Sequence, residues 1–408
     1  MRKAIQGIIF LKNMATGILA PVLTLALLQH GANIRTISLF IGLYSATIIV
    51  AEFPSGVFAD LYGRKTSFLL SAVLYVVSYG VLILSTNVSL LVVSIVTNGL
   101  GRAFSSGSID ALVIDQSGDH GKSLEWVTSR IAILESAGLA FGALSGGLLA
   151  GLGNRYVGNL GVNALLYVAL FVLTLCFVRE EKRQHAEHVA RSGFQAFLHQ
   201  TKTSLSFLMQ PGVVRILAVF ALATGFALNA IETYWQPALN GMLSPYWLFG
   251  VVSFGGFGFV IFGSWLSERL LSRFGSRAVS LLLVIKSLFG AALMLLFFQK
   301  SAFSFVAVYF AVYLFIGSGS VAESTLLNQA APSSHRAGIL SLSSLVLQIG
   351  GLIAALCGYL VSTYSRFQNI WLLAGLFLLV CALVFALMKR RSQPSASIEP
   401  DEPASTVS

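Results

Sequence analysis

Lys12, Glu52, Arg102, Glu135, Glu232, Lys286 and Glu323 are ionisable side chains set inside long apolar runs of this sequence. A charge surrounded by hydrocarbon is costly, so each needs a partner, a watery cavity or a task. Two kinds of chemistry are open to them. An acid and a base can neutralise one another and hold two helices in register. Alternatively, a carboxylate can take up and release a proton as its surroundings change. For Glu52 and Arg102 both a mutual ion pair and a place in a cavity stand open. Glu135 precedes Gly138 by three residues, so a helix would aim it near a run of glycines and away from lipid. Glu135, Glu232 and Glu323 are the candidate proton carriers. Glu135 is the first choice, because its neighbourhood is the one expected to rearrange.

Two further constellations are built from small residues. Gly56, Asp60, Gly63, Arg64 and Lys65 interrupt an apolar stretch with three charges and two glycines. Gly56 and Gly63 permit close helix approach and a tight turn. Asp60 can sit against a helix N-terminus, where the dipole favours an anion. Arg64 can reach a carboxylate, with Asp110 and Asp115 as candidates. Farther on, Gly138, Gly142 and Gly146 recur at four-residue spacing and Gly147 follows, a smooth groove along which a second helix can pack and slide.

The elements that must position these groups follow from composition. Of 408 residues, 56% are hydrophobic and only 10% charged, where a soluble chain carries about 25% charged residues. Apolar runs near the length needed to cross hydrocarbon as a helix recur throughout. The reading is an all-α integral membrane protein with spans at 5–28, 37–59, 66–86, 88–112, 126–151, 160–178, 213–239, 245–267, 277–298, 302–328, 338–362 and 368–388. With both termini cytoplasmic, seventeen Lys and Arg fall in inner segments and four, Arg35, Arg155, Lys300 and Arg366, in outer loops. That asymmetry sets orientation, and it accounts for the net charge of +10 without a nucleic-acid partner. Trp235, Trp247 and Trp371 at outer span ends, with Trp126 and Trp265 at inner ones, read as an interfacial belt. The first run is too long for a signal peptide and is retained as a helix. Cys176, Cys357 and Cys381 all lie within spans, so no disulfide framework is implied.

The chain also repeats itself. Tyr62 to Lys65 matches Phe274 to Arg277, Ser106 to Ser108 matches Ser318 to Ser320, and Gly138, Gly142 and Gly146 match Gly350, Ala354 and Gly358, all at an offset of 212. One offset at three places reads as a duplicated six-helix unit. The expected division is a bundle at 1–178, a cytoplasmic linker at 179–212 with a short amphipathic helix, a second bundle at 213–388 and a disordered tail at 389–408.

The stretch from Gly56 to Lys65 resembles the loop between the second and third helices of the major facilitator superfamily, with every defining position present. The resemblance covers nearly the whole chain and implies two pseudo-symmetric six-helix bundles. It also implies alternating access, with a charge network at this loop locking the outward-open state. In the second copy Ser272 replaces the acid and Ser276 an arginine, which leaves Arg269, Arg273 and Arg277 to act in another geometry. Gly138 to Gly147 is similar to the antiporter signature of that family, with Ala143 where proline is expected. In the resembled fold Lys12, Arg102, Glu232 and Glu323 lie near the substrate path. The implied function is proton-coupled efflux of drug-like or amphipathic compounds. The alternatives are transport of a sugar or other metabolite in either direction, and a transporter-shaped sensor. Phe220, Phe226, Tyr234 and Tyr313 are the aromatics expected at the cavity.

An enzyme is not expected: all six histidines fall in loops, and no catalytic constellation or metal-ligand cluster is evident. No phosphate-binding loop is present, so ATP does not drive the protein, and no cofactor is called for. The expected partners are a small-molecule substrate, a proton and the lipid bilayer. The expected form is a monomer in the plasma membrane, as in a bacterial inner membrane.

Overall fold

The computed structural model describes residues 3–85, 87–106, 124–152, 154, 156–180, 213–242, 245–274, 277–330 and 336–391. Asp110, Asp115, Gly107 and Ser108, the amphipathic stretch of the linker, Ser276 and the tail beyond 391 lie outside these residues, as does the side chain of Trp126. Among the described residues every regular element is a helix. In chain order they are α1 (Lys3–Leu19), α2 (Leu23–Gln29), α3 (Ile37–Tyr62), α4 (Arg64–Leu84), α5 (Val88–Ser105), α6 (Leu124–Leu149) and α7 (Val157–Phe177). The second half runs α8 (Val213–Asn240), α9 (Tyr246–Phe274), α10 (Ala278–Phe297), α11 (Ala302–Ala330), α12 (Arg336–Tyr364) and α13 (Asn369–Arg391). Eleven of these are long and apolar enough to cross a membrane, and α1 with α2 makes a twelfth crossing bent by 54°. The bend falls at Pro21, whose ring removes an N–H and crowds the carbonyl one turn earlier.

Two bundles are evident in the packing. In the first, α1 lies on α6 and α7, α4 on α5 and α7, and α3 on α5; in the second, α8 lies on α12 and α13, α9 on α11, and α10 on α11 and α13. Glycines let these backbones touch. A Cβ on Gly138 would strike the carbonyl oxygen of Phe10, and one on Gly350 that of Leu222. Both contacts obey the offset of 212, so the repeat read in one dimension recurs as the same helix crossing. Leu165, Phe303 and Leu383 are among many large apolar side chains left exposed, as a lipid-facing exterior requires.

The halves meet through α6 on α9, α3 on α12 and α2 on α8. The described hydrogen bonds, ring contacts and closest glycine approaches between them lie at the end of the bundle away from Gly63. Gly147 meets Gly250, Gly42 meets Ala355, and the rings of Tyr156 and Tyr246 lie 6.3 Å apart. At the same end Gln236 plugs the break in the first crossing. Its Oε1 accepts from the Thr24 backbone N–H at 2.9 Å, and its Nε2 donates to the Ala20 carbonyl at 2.8 Å. One side chain from the second half thus satisfies a backbone donor and a backbone acceptor that the kink releases in the first.

The tryptophan belt is half correct. Trp247 and Trp265 are exposed, but Trp235 and Trp371 are each only 1% exposed. Trp235 packs on Phe249 and Tyr309, and Trp371 donates its indole N–H to the Ala230 carbonyl at 3.0 Å. A buried indole that finds an acceptor belongs to the core.

Candidate functional site

In the first half, α1, α4, α5, α6 and α7 surround a cavity of about 390 Å³. Lys12, Asn13 and Thr16 face it from α1, and Arg102, Ser105 and Ser106 from α5 and its end. Glu135 and Leu139 of α6 complete the wall, with Tyr75 of α4 and Tyr167 of α7. The two tyrosine rings stack at 4.2 Å between centroids. Lys12 Nζ lies 3.9 Å from Glu135 Oε1, a long ion pair between α1 and α6. The close α1–α6 crossing at Gly138 and Gly142 brings the two helices near enough for it. Three of the intramembrane charges, Lys12, Arg102 and Glu135, therefore share one chamber. Glu52 is exposed on α3 and does not line this cavity.

The second half holds a tighter cluster. Lys286 of α10 is 1% exposed, and its Nζ lies 2.8 Å from Glu323 Oε1 of α11. The ammonium also donates to Thr224 Oγ1 of α8 at 2.6 Å, and the Thr224 hydroxyl lies 3.4 Å from Glu323. Lys286 passes beside Gly319, where an added Cβ would stand 3.1 Å from Nζ. Breaking such a pair on one side strands a charge, which is far more costly than never having placed it. Glu323 is thus joined to a base that the sequence showed only as one more intramembrane charge.

Glu232 differs from both. It is exposed within α8 and accepts a hydrogen bond from the Tyr313 hydroxyl of α11. Among the described residues no lysine or arginine is recorded within ion-pairing distance of it. The remaining aromatics expected at the cavity belong to the core instead. Phe220 packs against Phe385, Phe226 against Phe377 and Tyr234 against Phe367, so all three turn toward α13 and its preceding loop.

At the far end of the first bundle, Gly63 turns α3 into α4 with φ +93°, a conformation that side-chain-bearing residues rarely adopt. The carboxylate of Glu180, just past α7, accepts from the backbone N–H groups of Arg64 and Lys65, each at 2.8 Å. An added Cβ at Gly63 would stand 2.7 Å from that carboxylate. Lys65 Nζ donates to the carbonyls of Leu175 and Val178 at 3.0 and 2.7 Å. An acid does sit on a helix N-terminus here, as the dipole favours, but it is Glu180 and not Asp60. Asp60 and Gly56 are exposed. Glu180 was legible only as part of a charged run after an apolar one. In the weaker second copy, Arg269 lies 4.4 Å over the Trp265 ring, and Ser272 donates to the Arg269 carbonyl.

The antiporter-like glycines divide their work. Gly138, Gly142 and Gly146 press on the carbonyls of Phe10, Met14 and Ile18 along α1, whereas Gly147 faces Gly250 across the boundary between halves. The groove seats α1 tightly on α6, with the missing proline's place taken by Ala143, which is fully buried and touches Gly250.

Comparison with known proteins agrees with this architecture. The family model described as Major Facilitator Superfamily matches residues 7–285 and 246–408. An uncharacterized MFS-type transporter, YxaM of Bacillus subtilis (strain 168), is 22% identical over 383 residues, covering 93% of this chain and 94% of that protein. The quinolone resistance protein NorA of Staphylococcus aureus (strain N315) is 23% identical over 314 residues, covering 75% of this chain and 76% of that one. Among solved structures, the nucleoside transporter NupG superposes with a TM-score of 0.74 at 13% identity, covering 95% of this chain and 98% of that one. A POT family transporter in complex with 5-aminolevulinic acid gives 0.74 at 14% identity, covering 95% and 96%. At such identities the structural likeness speaks for the fold alone.

Proposed function

This chain belongs to the major facilitator superfamily, and from that premise we propose that it is a proton-coupled exporter of small drug-like or amphipathic molecules working by alternating access. The observation that carries the coupling is the contrast among the three candidate proton carriers. Glu323 is bound to Lys286 at 2.8 Å and Glu135 faces Lys12 at 3.9 Å, while Glu232 is held by a tyrosine hydroxyl. Protonating Glu323 sacrifices a close ion pair to a lysine that is only 1% exposed. Protonating Glu232 sacrifices none and leaves the Tyr313 oxygen free to accept in turn. Glu232 therefore takes the place first given to Glu135 as the proton carrier.

The conformation is read from where the halves touch. Among the described residues their contacts cluster away from Gly63, which supports a conformation parted at that end. The lysines and arginines concentrated at that end support a cytoplasmic side there by the positive-inside bias, with both termini on that side. The conformation is then inward-open, and an exposed Asp60 fits a gating loop that engages only when the cytoplasmic side closes. A relative named for quinolone resistance supports export of drug-like compounds. The setting proposed is a bacterial inner membrane, and the working unit a monomer.

The test is transport of a fluorescent drug-like dye in inside-out vesicles under an imposed pH gradient. The Glu232→Gln variant should lose transport driven by the gradient while exchange without a gradient persists. A Glu232→Gln protein whose pH-driven transport equals that of the parent would overturn the assignment of coupling to this acid.

A further inference from the structure

The turn from α3 into α4 is a joint of one residue. The Gly63 N–H donates to the Ala59 carbonyl of α3 at 3.0 Å, and the Gly63 carbonyl accepts from the Ser67 N–H of α4 at 3.1 Å. Glycine has no side chain with which to cap the helix it begins, so the first N–H groups of α4 need an acceptor from elsewhere. Glu180 supplies it from 116 and 115 residues along the chain: one carboxylate oxygen takes the Arg64 N–H and the other the Lys65 N–H, each at 2.8 Å. Help runs in the reverse direction as well. Lys65 Nζ donates to the carbonyls of Leu175 and Val178 at the end of α7. Each helix thus lends the other's terminus the charge its dipole favours, acid to the start of α4 and base to the end of α7.

This clasp matters because of what lies on either side of the joint. α4 packs on α7 within the first half, while α3 reaches α12 of the other half and carries the exposed Asp60 in its last turn. A glycine joint left free would present Asp60 over a range of directions, and the entropy of ordering it would oppose any contact it makes. With the two amides after Gly63 held, α3 leaves the α4–α7 pair at one angle. Resting on the transport reading above, we propose that Glu180 is a positioning residue of the gating loop. It fixes the Gly63 joint, and so the place from which Asp60 acts when the Gly63 end closes.

The test reads the population of the state in which the Gly63 end is closed and the opposite end open. Ser38 is fully buried at that opposite end, beside Gly358 of the other half, so Ser38→Cys reacts with a water-soluble maleimide when that end opens. The parent is full-length protein in detergent carrying Ser38→Cys and lacking Cys176, Cys357 and Cys381. Glu180→Gln keeps one oxygen as acceptor and sets its amide nitrogen against the second backbone N–H. It should slow labelling about tenfold, as loss of one charge-assisted hydrogen bond implies. Glu180→Asp keeps the charge but draws both oxygens back by one methylene. Its rate should fall between, and it carries the comparison if Glu180→Gln does not fold. Asp60→Asn should slow labelling too, and its combination with Glu180→Gln should be no slower than the slower single variant, because both act at one step. A general loosening of the fold would speed labelling, so the direction of the change separates positioning from mere stability. Labelling within about twofold of the parent's, or faster, in the folded Glu180 variants would overturn the proposal. An Asp60→Asn protein that labels like the parent would do the same, as would additive slowing in the double variant. None of these measurements needs transport. Slowed labelling without dye flux in vesicles would sink the transport reading alone, and flux with unchanged labelling would sink this proposal alone.

Discussion

Replacing Gln236 by leucine removes the plug from the broken first crossing at nearly constant volume. Gln236 is 2% exposed, and both of its hydrogen bonds go to backbone groups, the Thr24 N–H and the Ala20 carbonyl. A buried hydrogen bond contributes about 0.5–1.5 kcal/mol net, so the two together contribute about 2 kcal/mol to the state in which this end is closed. When the end opens, water serves the same groups, and leucine costs that state little. The equilibrium should therefore move toward opening at this end by about 30-fold, since each 1.4 kcal/mol is about tenfold. Ser38 reports it. The side chain is fully buried beside Gly358 of the other half, and opening would expose it. In a background lacking Cys176, Cys357 and Cys381, Ser38→Cys should react with a membrane-impermeant maleimide about 30-fold faster when Gln236→Leu is added. A correctly folded double variant whose labelling rate stays within about twofold of the parent's would refute the reasoning, because a rate tracking the open population cannot ignore a shift of this size.

Two predictions concern the packing of the halves themselves. Lys286→Met strands Glu323 and should destabilise the protein by about 3 kcal/mol, whereas Lys286→Met combined with Glu323→Leu should recover most of the loss. Denaturant titration in mixed micelles reads the cycle, and additive single effects would show that the pair is not coupled. Gly142→Val drives a side chain into the Met14 carbonyl and should abolish folded protein in detergent. Gly7→Ala, with nothing within 4 Å of the added Cβ, should leave the melting temperature unchanged or slightly raised. A well-folded Gly142→Val protein would show that α1 and α6 can separate freely.

Most of the architecture was legible in one dimension because hydrocarbon imposes a length and a polarity on every crossing. The repeat was legible for a different reason. Gly138 and Gly350 are small because backbones touch there, and small residues at fixed spacing leave a mark on any sequence. Partnerships were harder to read. Nothing in the run around Lys286 says that Glu323 stands beside it, since the two reside on different helices and meet through the fold. Trp235 and Trp371 look interfacial by position along their helices, but the belt rule knows depth and not facing, and both turn inward. Glu180 was hidden by its company, a charged run that continues from Arg179 through Arg183.

Thr24 and Gln236, the partners at the plugged break, are themselves separated by 212 residues, the offset of the repeat. Two positions equivalent by the repeat can meet only on the pseudo-twofold axis that relates the halves. A dimer of identical half-chains would set such a position against its own copy, so each copy would have to be kinked and kink-filling at once. Here the roles are divided: Pro21 breaks the first crossing, while α8 runs unbroken from Val213 to Asn240 and lends the side chain. Divergence of the two halves is what allows a residue on the symmetry axis to have a partner unlike itself, and fusion into one chain keeps the unlike halves together.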